Sequence, residues 1–410
     1  MTIDLEQVKA LDIDDPLAEK AALFHLPKGM TYLDGNSLGA MPLAVPAVLS
    51  GVLEKEWSED LIHSWNTHDW FIKPRLIGDK ICDLVGANHG EVIVSDCVSV
   101  NLFKMIVAAL SMQEGKKRIV TELGNFPTNL YVMQGIEAML GDRAELVAVE
   151  REDVMSAIDE NTAVVVLTHT HYKTSEIWDM QEVTNLAHDS GALVLWDLCH
   201  SAGIMPLHLA ELGVDMAVGC TYKYLNGGPG APAFLHLAQK HHGNVQQPIS
   251  GWWGHASPFE FDDQYQPAKD IRQLQSGTQS ILALSALEPG IDITLEADMS
   301  AIRMKSQKLG SFFIELLAER CPDIGLASPL DSDKRGSHVS IINENGYAIT
   351  QALKQQGIVV DFRAPDIIRF GFAPLYNSYM DIWKSVTALQ EIISTKSWDR
   401  EEYKSQSTVT

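Results

Sequence analysis

Leu193-Val-Leu-Trp-Asp-Leu-Cys-His200 and, a little further on, Thr221-Tyr-Lys-Tyr-Leu-Asn-Gly-Gly-Pro-Gly230 decide the architecture of this chain. The first is an apolar run closed by a carboxylate. Asp197 therefore stands at the end of a strand, where open α/β sheets place their ligands. The second sets Lys223 among aromatic and hydroxyl side chains, just before a segment too rich in glycine for an ordinary helix. The stretch between them has room for one helix and one strand, so both side chains can reach a single crevice.

Working outward from these runs, strands alternate with helices. Val92–Val94, Arg118–Thr121, Glu145–Val149, Ala163–Leu167, Leu193–Trp196 and Met216–Gly219 read as short strands. Residues 95–99 read as a loop, and Val100–Met112 and Asn129–Leu140 as helices. This pattern predicts an α/β fold built on a largely parallel sheet covered on both faces. Ala231–His236 reads as a further strand able to run antiparallel.

Upstream, residues 1–28 read as a short helix and a lead-in, with Asp14, Asp15 and Pro16 marking a helix start. Tyr32–Gly39 is a turn-rich loop, 47–60 and 74–86 are helical, and His63–Phe71 is a loop. Downstream, 251–280 is long for a structureless connection, which points to a functional loop. Helices over Ser280–Ile291 and Ala297–Glu319 lead into strands at 336–342, 358–362 and 367–371, with helices at 347–355 and 378–394, a small α+β unit. The expected division is an N-terminal segment 1–45 packing with the small domain, a large cofactor-binding domain 46–295, a small domain 296–396 and a frayed polar tail 397–410.

Composition narrows the function. The chain has 410 residues, 46% of them hydrophobic, enough for two or three domains with real cores. A formal charge of −23 argues against nucleic acid and against an anionic membrane as partners. No run is apolar enough to span a bilayer, and Met1-Thr-Ile-Asp-Leu-Glu6 lacks the features of a signal peptide. The cytoplasm is the expected compartment. The five cysteines are dispersed without a Cys-x-x-Cys pair, so no metal site is expected. Cys199 and Cys220 read as small buried fillers.

A lysine beside an apolar strand is ordinarily a surface residue. Here Tyr222 and Tyr224 flank it, and Asn226–Gly230 lets a ligand approach the backbone closely. Lys223 and Asp197 together suit pyridoxal phosphate, with the lysine as imine former and the carboxylate as partner of the pyridine nitrogen. Asp197 also reads as a helix cap, and His200 as either a core histidine or a group near the ring. Phosphate needs donors. Cys97 and Val98, where a loop opens a helix, supply backbone N–H groups, and Tyr222 supplies a phenol. Phe126 reads as core or as a lid over the ring. Arg369, inside the apolar run Ile367-Ile-Arg-Phe-Gly371, demands a partner. A substrate carboxylate suits it, and so does an internal salt bridge with Asp361 or Asp366. Trp252 and Trp253 read as core, as interface or as a platform for an aromatic substrate.

Several motifs together resemble the bacterial kynureninase family, in the class V branch of the fold type I (aspartate aminotransferase-like) pyridoxal phosphate enzymes. They are Tyr32-Leu-Asp-Gly-Asn-Ser-Leu-Gly39, Ser99-Val-Asn-Leu-Phe-Lys104, Asn125-Phe-Pro-Thr128, Trp196-Asp-Leu-Cys-His-Ser-Ala-Gly203, Tyr222–Gly230, Gly251-Trp-Trp-Gly-His255 and Arg369-Phe-Gly-Phe-Ala-Pro-Leu-Tyr-Asn-Ser378. The resemblance runs from about Tyr32 to Trp383. It implies that Lys223 is the Schiff-base lysine, Asp197 the pyridine-nitrogen partner and His200 the histidine near the cofactor. Tyr222 resembles a phosphate-binding and proton-transferring tyrosine, and Thr168 another cofactor contact. Cys97 and Val98 hold the phosphate-loop positions. Trp252 and Thr278 are similar to residues that reach the phosphate from the neighbouring subunit of a homodimer. Arg369 resembles the arginine for the substrate α-carboxylate, with Asn36 and Ser37 near the substrate.

The chain departs from the family pattern at Asn129, where aspartate is common, and at Val98, where a hydroxyl is usual. The stretch His63–Trp70 is unusually rich in histidine and is expected to border the substrate pocket. The implied reaction is hydrolytic Cβ–Cγ cleavage of L-kynurenine or its 3-hydroxy form to anthranilate or 3-hydroxyanthranilate and L-alanine, within tryptophan catabolism and NAD biosynthesis. The competing readings are another class V activity, such as a cysteine desulfurase using Cys321 or a β-lyase, and a non-catalytic structural or regulatory protein on the same fold.

Overall fold

The structure, a computed structural model, describes residues 3–405. Its centre is a seven-stranded sheet in the spatial order Val92–Val94, Phe234–Leu237, Met216–Gly219, Leu193–Asp197, Thr162–Thr168, Arg118–Glu122, Glu145–Val149. The five strands from Met216–Gly219 to Glu145–Val149 pair in parallel. Phe234–Leu237 runs antiparallel to both of its neighbours.

Alternation along each strand divides the core in two, because successive side chains point to opposite faces. Val165, Leu167, Val194 and Trp196 face the helices Lys73–Val85, Met180–Asp189 and Ile281–Leu295. Val164, Val166, Leu195 and Val218 face Val98–Met112 and Pro127–Leu140. All of these strand residues are buried, which is the pattern of a sheet covered on both sides.

A second sheet, ordered Gly325–Leu326, His338–Ile342, Ile367–Gly371, Asp361–Arg363, packs on Met299–Arg320, Gly346–Gln355 and Tyr379–Thr395. The N-terminal segment divides between the two cores. Val8 and Leu33 join the second, whereas Leu17, Phe24 and Ala40 join the first.

Several local expectations are corrected. No helix lies between Asp197 and Met216; the chain runs through successive turns, closed by bonds such as Ala202 N to Leu198 O at 3.0 Å. Asp14 closes the first helix, Leu5–Ile13, while Asp15 and Pro16 lead into the 3-10 helix Ala18–Leu23, with Leu17 N donating to Asp15 Oδ1 at 3.0 Å. The stretch expected as a loop at His63–Phe71 starts where the helical turn Leu61–His63 ends and contains a second, Ser64–Thr67. Within the described part of the tail, Glu401–Lys404 forms a helical turn whose Tyr403 is buried in the second core. Residues 406–410 of the expected tail lie outside the described residues.

Candidate active site

Parallel pairing brings the site together. Thr168 lies opposite Asp197, and Asp197 opposite Val218, so three strands end side by side at their carboxyl edge. The segment leaving Gly219 at that edge carries Tyr222 and Lys223 back to Asp197, around a cavity of about 310 Å³ lined by all three. The N-terminal loop braces this turn. Gly39 N donates to Tyr222 O at 2.8 Å, and a Cβ on Gly39 would collide with the carbonyl oxygen of Lys223.

Lys223 makes no hydrogen bond or ion pair among the described residues. Its ammonium sits 6.0 Å from the Phe126 ring centroid and 5.9 Å from that of Tyr222. Both oxygens of Asp197 receive donors: Oδ1 from Cys199 N at 2.9 Å and Oδ2 from Asn129 Nδ2 at 2.8 Å, with Thr168 Oγ1 3.4 Å from Oδ2. Asn125 supports this network through Thr168 Oγ1 (2.6 Å) and Asn129 Nδ2 (3.3 Å). A carboxylate at position 129 would put two anions in contact; the amide donates instead.

His200 lines the cavity as a neutral ring, because burial, aided by the Lys223 charge, holds its pKa well below the ordinary imidazole value. Its edge meets His338 at a centroid distance of 5.6 Å. Burial pushes the Tyr222 phenol well above its ordinary range, so it remains an O–H donor. Opposite it, the helix Val98–Met112 begins with Cys97 as an N-cap that makes no side-chain cap bond. Its first-turn amides therefore keep donors for an anion. Cys97, Val98 and Ser99 all border the cavity, so a hydroxyl is available one residue after the valine.

Arg369 lies behind this cavity, 2% exposed. It is paired directly across the sheet with Asp361. Nε donates to Asp361 Oδ1 at 2.7 Å, and Nη2 donates to the other carboxylate oxygen. Burial would raise Asp361, but Arg369, Arg363 and Ser37 outweigh it and hold the carboxyl at about 2. This side-on grip leaves the outer edge of the guanidinium to Tyr172 O at 2.7 Å and Ser37 Oγ at 3.0 Å. The internal salt bridge with Asp361 is thus formed, and Asp366 takes no part in it.

Of the residues singled out in the sequence, Cys97, Val98, Phe126, Asn129, Thr168, Asp197, His200, Tyr222 and Lys223 line one cavity, and Ser37 joins Arg369. Asn36 does not reach the cavity. It is fully buried against Gly371 with its amide unpaired. Trp252 lines a separate surface cavity with Phe261 and Tyr265, and Thr278 is exposed. The His63–Trp70 stretch packs against this second region, with Trp65 5.2 Å from Trp253, and not against the Lys223 cavity. Cys199 is not a buried filler; it is partly exposed on the cavity wall, and its sulfur accepts Cys220 N at 3.2 Å.

Ser99, Asn125 and Thr128 stand in motifs quoted above without a role of their own, and Tyr172 is not singled out by the sequence at all. Tyr172 links the two halves of the site, stacking edge-on to Phe126 at 5.2 Å while its carbonyl holds Arg369. Its position just past a strand's carboxyl end is the signal that could have found it.

These features fit pyridoxal phosphate: a free lysine, a strand-end carboxylate, a neutral ring on the same cavity wall and an uncapped helix N-terminus. Residues 75–231 match the family model described as Cys/Met metabolism PLP-dependent enzyme, and residues 302–389 match the Kynureninase C-terminal domain. A cysteine desulfurase from Thermococcus onnurineus NA1 superposes with a TM-score of 0.76 at 18% identity, over 96% of this chain and 99% of its own. One from Escherichia coli gives 0.78 at 16%, over 92% and 98%. Fold and site define a fold type I pyridoxal phosphate-dependent enzyme.

Sequence similarity goes further. Kynureninase from Burkholderia pseudomallei (strain 1106a) is 45% identical over 412 residues, 99% of each chain. That from Pseudomonas fluorescens is 44% identical over 408 residues, 98% of each. The chain belongs to the kynureninase family.

Proposed function

We propose that this enzyme hydrolyses the Cβ–Cγ bond of L-kynurenine, or of its 3-hydroxy form, to anthranilate or 3-hydroxyanthranilate and L-alanine. The observation that carries this reading is the meeting of Lys223 and Asp197 in one cavity, in a chain 45% identical to a kynureninase over its full length. Bound pyridoxal phosphate supplies the electron sink that makes the α-carbon acidic and the Cβ–Cγ bond breakable.

The protein's own residues do the rest. Lys223 is the amine that anchors the cofactor and then moves the α-proton. Asp197, steadied by Asn129 and Cys199 N, holds the pyridine N–H. Neutral His200, on the cavity wall, would sit near the bound ring without adding charge. The first-turn amides at Val98 and the Tyr222 hydroxyl would hold the phosphate, and the same hydroxyl is the candidate donor of the proton that the Cβ carbon takes up after cleavage. Arg369, oriented by Asp361, is the arginine for the α-carboxylate, which would take the outer edge now held by Tyr172 O and Ser37 Oγ. Water adds to the side-chain carbonyl, so the aryl side leaves as a carboxylate and the Cβ carbon takes up a proton to become the methyl group of alanine.

The reading extends to a cytoplasmic homodimer in tryptophan catabolism, with the 3-hydroxy product feeding NAD biosynthesis. Trp252 and Thr278 lie at the surface and outside the Lys223 cavity of their own subunit, available to a partner's phosphate. Met41, Leu43, Leu53, Trp57, Leu61 and Ile62 are exposed apolar groups that a second subunit would cover. Cys321, the cysteine a desulfurase would need, is buried where the helix Met299–Arg320 ends, and burial raises its thiol pKa.

Purified protein with cofactor and kynurenine should release fluorescent anthranilate, and Lys223→Ala should abolish both this and the visible band of lysine-bound cofactor. No anthranilate from cofactor-loaded protein sinks the reading. Catalytic efficiency on the two substrates decides which is preferred, and light scattering tests the dimer.

A further inference from the structure

Lys104 is fully buried in the helix Val98–Met112, two turns below the uncapped N-terminus, and does not border the Lys223 cavity. Its ammonium reaches Asp96 Oδ2 at 2.6 Å and Leu274 O at 2.9 Å. A fully buried ammonium is costly to desolvate and persists where the fold holds its partners in place.

Asp96 is itself unusual. It directly precedes the Cys97 N-cap, its φ is +49°, and its side chain is 27% exposed. Its backbone closes the strand edge, with Ala233 N donating to Asp96 O at 2.8 Å, and Ser95 Oγ donates to its Oδ2 at 2.7 Å. A carboxylate is thus built into the very turn that opens the anion-binding helix end. Alone it would repel a phosphate dianion arriving there.

We propose that Lys104 is a positioning residue for the cofactor phosphate: it neutralises Asp96, so that the 95–99 turn offers its first-turn amides to the anion without an opposing charge. The proposal rests on the placement of the phosphate at Cys97 and Val98. Lys104 does not touch the cofactor; it acts through Asp96. The bond to Leu274 O fixes the ammonium from the far side, so the charge pair cannot swing away from the turn.

Pyridoxal, which lacks the phosphate, separates this role from simple scaffolding. The full-length enzyme, resolved of cofactor, is titrated with pyridoxal phosphate and with pyridoxal at about pH 8, reading the visible band of the lysine-bound ligand. Wild type should prefer the phosphorylated form strongly. Lys104→Met should cut that preference about tenfold or more while leaving pyridoxal affinity unchanged. Adding Asp96→Asn to Lys104→Met should restore most of it, because the uncompensated charge is then gone. Asparagine also tolerates the positive φ.

Equal losses for both ligands in Lys104→Met, or no rescue by Asp96→Asn, overturn the proposal. If Lys104→Met does not fold, Asp96→Asn alone decides. It leaves the ammonium uncompensated and should raise the preference for the phosphorylated ligand; a fall overturns the idea. A wild type indifferent to the phosphate would instead overturn the placement of the phosphate at this turn, and the role of Lys104 with it.

Discussion

The side-chain amide of Asn129 donates to Asp197 Oδ2 across 2.8 Å, inside a network of Thr168 and Asn125 that leaves Asn129 Oδ1 buried without a partner. The amide serves Asp197 as a neutral donor, so the site holds one carboxylate, not two. Asn129→Leu should cost about 1–3 kcal/mol of stability, the usual penalty for a buried acceptor stripped of its donor. Asn129→Asp should behave differently with pH. Two touching carboxylates share one proton, so the folded pair has a raised pKa. Its stability is present at low pH and lost as pH rises through that value. Thermal melting at about pH 5 and about pH 8 checks the sign; a variant equally stable at both does not fit the geometry.

Asp361 and Arg369 form a buried pair directly opposed across two strands. Removing one partner leaves the other charge uncompensated, so Asp361→Asn should destabilise the fold by about 3–5 kcal/mol. The same pair gives an acid limb. With Asp361 held at about 2 against an ordinary 3.8, its contribution, about 2 kcal/mol, is present above pH 3.8 and disappears as pH falls through 2. Denaturant titrations across this window measure it. In kinetics, Arg369→Lys keeps a charge but loses the fork, and should raise KM for kynurenine about 10- to 100-fold.

Asp34 shows the opposite sign. Burial first, and then the Asp361 charge, push its carboxyl up to about 7. A raised acid contributes stability that is fully present below the unfolded value of 3.8 and lost as pH rises through 7. Asp34→Asn should therefore stabilise the protein above about pH 7, with the gain accumulating between the two values and absent in stronger acid. Melting temperatures of the pair of proteins against pH check this. A constant difference at every pH means that Asp34 does not titrate in this window.

How far the sequence could be read depended on whether the information was local. Strand runs such as Thr162–Thr168 and Leu193–Asp197 carry unbroken apolar patterning, and their ends locate Asp197 and Thr168 without further help. The turns between Asp197 and Met216 defeated the expectation of a helix, because apolar content alone does not separate buried turns from a buried helix. Arg369 offered two partners, and only the register of Asp361–Arg363 against Ile367–Gly371 chose Asp361. Tyr172 and Asn125 were missed for a similar reason: their roles depend on which strand ends become neighbours. Lys104 sits in a quoted motif, yet its partners Asp96 and Leu274 meet only in three dimensions. The surface positions of Trp252 and Thr278 carry meaning only with a second subunit.

Tyr222 is assigned two tasks, and they can be separated. Burial keeps its phenol protonated well beyond neutral pH, so Tyr222→Phe removes a donor and leaves the ring's packing in place. If the hydroxyl gives a proton to the Cβ carbon, kcat should fall about 100-fold or more, in the range of a lost general acid. If it serves only the phosphate, kcat should hold near wild type once the enzyme is saturated with cofactor, and the preference for pyridoxal phosphate over pyridoxal should fall. Both changes together are expected, because the residue lines the same cavity as Lys223 and as the helix end at Val98. Kinetics under saturating cofactor, set beside cofactor titrations, give the two effects independently. A Tyr222→Phe enzyme with unaltered kcat would remove the proton-transfer role and leave that step to Lys223.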